Sequence, residues 1–332
     1  MRPLFRITAD GEDVTAQVSA RLVDLVVQDE AGYEADTLML TLDDRDARLI
    51  VPPHQSLLRV ELGMDGAVPV PLTPMGAFRV DETELTGPLR RLRISATAAD
   101  MSGDIRSPRT RGWEGITLSD MIEKVAGEAG LEAVVAPGLA GVALAYVAQT
   151  AESNIHLLTR IARRAGAVVK AADGRLVLAR RGAAENAAGT RLDAIALLPR
   201  HVTDWSWRSA DRGRYASAEA SWTELGTASL NKVVVGEGEP RRVLRHVHAT
   251  EDEARRAARA VLEDASRGAE TLRLGLAGFW PQAFAGARVT YADRRPELGG
   301  AWVVKTATHT LSDTLKTELS LERPAADEEA DP

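Results

Sequence analysis

The sequence predicts an α+β chain that is mainly β: two antiparallel tube-like β-barrel domains with a small inserted α/β module. Three observations carry this reading. Apolar and polar residues alternate from the N-terminal region to Ala96, the period becomes helical after Trp113, and β-character returns from His201 onward.

In the first region Leu38, Leu40 and Leu42 share one face of a strand, and Thr37, Met39 and Thr41 the other. Leu58, Val60 and Leu62 repeat the pattern, as do Phe78 and Val80, then Leu92, Ile94 and Ala96. Pro52-Pro53, Asp65-Gly66, the segment Pro69 to Gly76 and Gly87-Pro88 read as turns or loops between them. Short strands at this spacing, with no helix between, favour an antiparallel barrel or sandwich.

After Trp113, Thr117-Leu118-Ser119-Asp120 forms a capping-box pattern. Leu118, Met121, Ile122, Val125 and Ala129 follow at helical spacing, and Gly130 stands where a left-handed C-cap is wanted. A second helix starts at Ser153, buries Ile155, Leu158, Ile161, Ala162 and Ala165, and stops at Gly166. Val168 to Ala171 and Leu176 to Leu178 flank Asp173-Gly174, a hairpin signal. The Ala- and Gly-rich stretch Arg181 to Thr190 is the best linker.

Trp205, Trp207 and Tyr215 mark two further strands. Others are expected at Val233 to Val235, Thr271 to Leu276, Ala287 to Tyr291, Ala301 to Thr310 and Thr314 to Leu321. One helix interrupts them: Thr250-Glu251-Asp252-Glu253 caps it, an inner face of Ala254, Ala257, Ala258, Val261, Leu262 and Ala265 follows, and Gly268 ends it. The expected domains are therefore 1–108, a first barrel completed by strands after 195; 109–182, the α/β module; and 183–323, a second barrel with the helix 250–267. Residues 324–332 read as a disordered acidic tail.

With 332 residues, 45% hydrophobic and 27% charged, the composition is that of globular protein with room for two or three cores. No apolar run approaches the roughly 20 residues that span a bilayer, so no membrane association is expected. No secretory signal is visible at Met1-Arg2-Pro3-Leu4-Phe5-Arg6. The absence of cysteine excludes disulfides, thiolate metal sites and a Cys nucleophile, which fits synthesis in a reducing cytoplasm.

A net charge of -7 argues against a protein devoted to gripping nucleic acid. The basic clusters Arg106, Arg109, Arg111 and Arg241, Arg242, Arg245 read as solvated faces.

His246-Val247-His248 puts two imidazoles on one face of a strand and is the weak metal candidate, with no third ligand evident nearby. His309 reads as a packed or surface histidine. Gly236-Glu237-Gly238 lacks the Gly-Lys-Ser/Thr of a phosphate loop and reads as a turn. There is no Gly-x-Ser-x-Gly elbow, and no carboxylate pair stands out. No catalytic residue, cofactor or enzyme activity is indicated.

Taken together, several ordered stretches resemble the phage late control protein D family, the hub proteins of contractile-tail baseplates, related to the hub portion of type VI secretion spike proteins. They are Asp36-Thr37-Leu38-Met39-Leu40-Thr41-Leu42-Asp43-Asp44-Arg45-Asp46, Met75-Gly76-Ala77-Phe78-Arg79-Val80-Asp81 and Thr86-Gly87-Pro88. Ile94-Ser95-Ala96, the helix Glu152 to Gly166 and the segment Ala301 to Ser312 continue the series.

The resemblance implies a homotrimer with two barrels per chain, a ring that adapts a sixfold tail tube to a threefold central spike. It implies a place in the virion's tail baseplate or a tail-like particle made in a bacterial host's cytoplasm. Implied partners are the central tail spike protein, tail tube and baseplate wedge proteins and the tape measure protein, with DNA only as cargo passing through the lumen. Because the sequence ends at Pro332 without a spike or lysozyme-like segment, those are expected on other polypeptides. Two other readings stay open: a peptidoglycan- or glycan-binding protein acting through residues 113–182, and a DNA-binding late-gene regulator. The expected helices at Thr117 and Ser153 lie too far apart for a helix-turn-helix.

Overall fold

The computed structural model describes residues 2–31, 34–99, 103–172, 174–181, 193–211, 215–224 and 229–324. The expected linker beyond Arg181, Asp173 of the hairpin turn and the acidic segment from residue 325 lie outside the described residues.

The chain opens with β1 (Arg2–Ala9), β2 (Glu12–Asp13), α1 (Thr15–Ser19) and β3 (Leu22–Glu30). Then come β4 (Thr37–Asp43), β5 (Leu57–Asp65), β6 (Val70–Thr86) and β7 (Arg91–Ala98). A mixed segment follows: β8 (Pro108–Thr117), α2 (Leu118–Ala129), β9 (Glu132–Val135), α3 (Pro137–Ala140) and β10 (Ala143–Ser153). It continues through α4 (Asn154–Arg164), β11 (Ala167–Ala172) and β12 (Arg175–Arg180). The C-terminal part holds β13 (Ile195–Leu197), β14 (Val202–Ser209), β15 (Ser217–Glu224), β16 (Ser229–Gly236) and β17 (Arg241–His248). It ends with α5 (Glu251–Arg267), β18 (Glu270–Leu276), β19 (Arg288–Tyr291), β20 (Gly300–Leu311) and β21 (Leu315–Glu322).

The fold is mainly β and rests on one 13-stranded sheet ordered β14-β18-β21-β20-β3-β4-β7-β6-β5-β1-β2, with β19 also on β20 and β13 on β19. Every pairing in it is antiparallel except β13 with β19. The alternation read from the sequence is the burial pattern: Leu38, Leu40, Leu42, Leu58, Val60, Leu62, Phe78, Val80, Leu92, Ile94 and Ala96 are all buried. They form one core with Ile7, Leu25, Val27 and the C-terminal residues Phe279, Leu311 and Leu315. A second core lies on the same sheet around Leu272, Leu274, Val289, Tyr291, Trp302, Val304, Leu319 and Leu321. There the buried Trp302 indole donates from Nε1 to the Leu298 carbonyl at 2.8 Å, and the Arg323 guanidinium stacks 3.8 Å from its ring centre.

One sequence expectation fails. The segment Pro69 to Gly76, expected as a turn, lies mostly inside the 17-residue strand β6. Its prolines are accommodated because β6 meets β5 with register shifts near Glu61 and between Leu62 and Met64. Gly63 lets the chains close there: a side-chain carbon would sit 3.0 Å from the Val70 carbonyl oxygen.

Two smaller units flank the sheet. β8 pairs with β10, and β9, β12 and β11 make a three-stranded sheet; α2 and α4 cover a core that includes Met121, Ile122, Val125, Leu157, Leu158 and Ile161. The Thr117 side chain accepts from Asp120 N, the Asp120 side chain accepts in return from Thr117 N, and Gly130 takes the left-handed conformation that stops α2. β15 to β17 form a separate three-stranded sheet under α5, packed on Ala218, Ala220, Val233, Ala254 and Ala258. The alanines let α5 lie close to that sheet.

The mixed segment is fastened to the large sheet by a charged node. Lys170 on β11 lies 2.5 Å from Asp29 Oδ1 and 2.9 Å from Asp36 Oδ1. Asp29 Oδ2 also accepts from Ala285 N at 2.9 Å, and Asp36 Oδ1 from Glu30 N at 3.0 Å. Burial, and then the neighbouring Asp29 carboxylate, push the Asp36 carboxyl up to about 6, against the pull of Lys170. Arg181 adds a second tie, to Asp264 of α5 at 2.7 Å and Glu322 of β21 at 3.1 Å.

Two outcomes follow. A folded-state value raised from 3.8 to about 6 gives a stabilising contribution that is present in acid and lost as pH rises through about 6. Asp36→Asn is therefore expected to gain stability over the parent at pH 7, with the gain shrinking toward pH 4, read as the difference between urea midpoints across that range. Trp302→Ala should lower unfolding stability by about 3–5 kcal/mol, measured by urea denaturation, because it empties the centre of the C-terminal core.

Candidate functional site

The side of the mixed segment where β8, β10 and the two helices meet is held by a polar network. Arg111 on β8 donates to both Glu128 oxygens, at 2.6 and 3.0 Å, and to Gln149 and Asn154 at 2.9 Å each. The guanidinium also covers the Trp113 ring at 4.2 Å, and Trp113 Nε1 donates to Gln149. Hydrogen bonding from Arg111 holds the Glu128 carboxyl below its usual range. Gln149 and Asn154 are buried, and every donor that faces them is met. Arg109 reaches the same Glu128 at 3.3 Å, so Arg109 and Arg111 share one internal carboxylate.

Across from this network lies a cleft of about 630 Å³ between β10 and α4 on one side and β17 and the start of α5 on the other. One wall is Val142 and, on β10, Leu144 to Ala148; the other is His246, Val247 and His248 of β17 with the following Ala249. Glu114 of β8 and Thr223 of β15, the strands that pair with β10 and β17, also line it. Among the described residues β10 pairs only with β8, and β17 only with β15.

The two sequence-singled histidines meet here. The His246 and His248 rings are 5.0 Å apart and edge-on. His248 is 4% exposed, and its buried Nε2 has no hydrogen-bond partner. Burial first, then His246, Arg164 and Arg256, depress His248 to about 4; burial and Arg164 also lower His246. Both imidazoles are thus neutral at pH 7. Among the described residues no group of three or more His, Asp or Glu side chains is placed to hold a metal ion.

From α4 come Arg160 and Arg164. Arg160 is paired with Glu152 at 2.6 and 3.0 Å and donates to the Ala148 carbonyl at 3.0 Å. Arg164 is partly buried and has no hydrogen-bonding or contact-distance ionic partner among the described residues; burial lowers its pKa. On α5, Glu253 accepts from Ala249 N at 3.2 Å, and its own backbone N–H donates to Thr250 Oγ1 as the helix cap. Beyond the two histidines no local pattern marks this cleft, because its arginines lie on helix faces that read as solvated.

The remaining singled residues are structural in placement. His309 is 2% exposed, pairs with the Thr317 hydroxyl at 3.0 Å and packs edge-on to Phe279; burial lowers it to about 4. Arg241 bonds Ser217 and Glu219, and Arg242 lies over Tyr215. Gly236, at φ 77°, closes the turn after β16, where a side-chain carbon would strike the Ala216 carbonyl oxygen. Trp205, by contrast, is 52% exposed on β14, an outermost strand of the large sheet.

A protein described as a probable baseplate hub protein, from Escherichia phage 186, is 28% identical over 375 aligned positions, covering 99% of this chain and 95% of that protein. One of the same description from Escherichia phage P2 is 32% identical over 222 positions, 67% of this chain and 57% of that protein. A tail protein of Neisseria meningitidis MC58, of known crystal structure, superposes with a TM-score of 0.74 at 17% identity, covering 97% of each chain. The family model described as phage tail baseplate hub (GPD) matches residues 76–315, a span that takes in the polar network, the cleft and most of the large sheet. Matched by the family model over residues 76–315, this chain belongs to the phage tail baseplate hub (GPD) family.

Proposed function

We propose that the protein acts as a ring-forming adapter at the centre of a phage tail or tail-like particle, three copies joining a sixfold tail tube to a threefold central spike. The observation that carries this reading is the pair of apolar cores strung on one antiparallel sheet. Two β units per chain turn threefold packing into a sixfold arrangement of similar surfaces. The outermost strands support it further: β14, with Trp205 exposed, ends the sheet on one side, and β1 with the short β2 ends it on the other. Unpaired strand edges invite pairing, and closure into a ring is one way to remove them.

In this arrangement the mixed segment stands beside the ring and faces spike or baseplate components. The role is structural and non-enzymatic, and DNA meets the assembly only as cargo in its lumen. The net charge of -7 is compatible with a lumen that does not retain DNA.

The test is the mass in solution, followed by imaging. Three times the chain mass of 35.7 kDa, with particles showing a central hole, is expected for the protein alone or mixed with its spike. Trp205→Glu should lower that mass to a single chain without shifting the thermal unfolding of the monomer. A single-chain mass under every condition contradicts the ring.

A further inference from the structure

The node that fastens the mixed segment to the large sheet holds more chemistry than a tether requires. One amine and two carboxylates converge there, from β11, from β3 and from the chain just before β4. Lys170 Nζ lies 2.5 Å from Asp29 Oδ1. A carbon–oxygen bond of about 1.2 Å then puts the Asp29 carboxyl carbon no farther than about 3.8 Å from the nitrogen. Atoms poised for attack stand roughly 3–3.5 Å apart.

The groups around that pair are placed for the same reaction. Asp29 Oδ2 accepts the Ala285 backbone N–H at 2.9 Å, a donor aimed where negative charge develops when a nucleophile adds to the carboxyl carbon. Asp36 Oδ1 meets the same lysine nitrogen at 2.9 Å and is the proton acceptor at hand. The adjacent Glu30 is engaged elsewhere, by Gln28 and Thr306. Lys170, Asp29 and Asp36 are largely withdrawn from solvent, with side chains 30%, 22% and 17% exposed. Converting an ammonium and a carboxylate held there into an amide removes two desolvated charges. Fixing the groups in one geometry supplies the effective concentration that amide formation in water otherwise lacks.

We propose that this node is a self-modification site, where Lys170 Nζ and Asp29 Cγ condense to an isopeptide bond with release of water and Asp36 carries the proton. Lys170 starts as an ammonium: burial pulls its pKa down, and the two aspartates more than restore it. One proton passes to Asp29 Oδ1, leaving an amine against a neutral carboxyl. The nitrogen lone pair bonds Cγ while the carbonyl pair moves onto Oδ2, under the Ala285 N–H. The nitrogen gives its second proton to the Asp36 carboxylate, which burial has raised to about 6 and so made a better base. Asp36 hands that proton to the Oδ1 hydroxyl, the Cγ–Oδ1 bond breaks, water leaves and the carbonyl re-forms at Oδ2. Asp36 ends as it began, and no oxidant or cofactor takes part. Freshly folded chains carry the ion pairs and mature to the amide, whether or not they form a ring.

Intact mass spectrometry of the full chain, followed from fresh protein through prolonged incubation at neutral pH, tests it. The 35.7 kDa chain is expected to convert to a species lighter by one water molecule. Lys170→Met and Asp29→Ala should keep the full mass, and Asp36→Asn should slow the conversion by about a hundredfold. Trypsin should release a branched peptide that joins residues 22–45 to residues 165–175 and is uncut at Lys170.

A parent chain that keeps its full mass and yields no branched peptide overturns the proposal. So does water loss that persists in Lys170→Met, because cyclic imides at the Asp-Gly pairs beginning at Asp10, Asp65 and Asp173 would then be its source. A branch at Asp36 in place of Asp29, or an Asp36→Asn rate equal to that of the parent, would overturn the roles assigned to the two aspartates.

Discussion

One strand holds the molecule together. β20 pairs with β19 and β21 on the C-terminal side and with β3 on the N-terminal side, from Thr306 opposite Glu30 to Leu311 opposite Leu25. Along it, Trp302, Val304 and Ala307 face one core, and Leu311 reaches the other. Breaking its ladder would separate the two halves of the sheet and expose both cores at one seam. The hydrogen bonds fix the register, and the alternating side chains keep it, since a one-residue slip would turn Leu311 and Leu25 outward.

Charge then decides how the smaller units sit on that sheet. Lys170 lies between two aspartates at the end of β3, and Arg181 spans α5 and β21. Such ties contribute little net stability, because desolvating the ions offsets most of their attraction, but they allow few alternative placements. The raised Asp36 carboxyl is the visible sign of that cost. The alanine-lined contact between α5 and its sheet has the opposite character: close, apolar and directionally permissive.

How much of this was legible in the sequence depended on whether the determinant was local. Alternation at Leu38, Leu40 and Leu42, and the caps at Thr117, Ser153 and Thr250, act within one strand or one helical turn, and each marked its element correctly. β8 and β10 went unread because their inner faces carry Arg111 and Gln149, which look like surface until Glu128 and Asn154 complete the network. Pro71 and Pro74 misled for a similar reason: proline signals a turn locally, and only the irregular pairing with β5 makes it compatible with a strand. The cleft was hidden for the same cause, since it is built from α4, β10, β17 and α5, and only the His246–His248 pair left a short-range trace.

The seam between β3 and β20 has a consequence in time as well as in space. Thr306 and Glu30 are 276 residues apart in the chain, so at translation speeds of about 5–20 residues per second the edge of β3 waits on the order of 15–60 s for its mate. Throughout that interval the nascent polypeptide carries a finished apolar strand with an open flank. Slow, non-local closure of this kind makes the protein's yield in the cell a contest between ribosome pace, holdase chaperones and self-association.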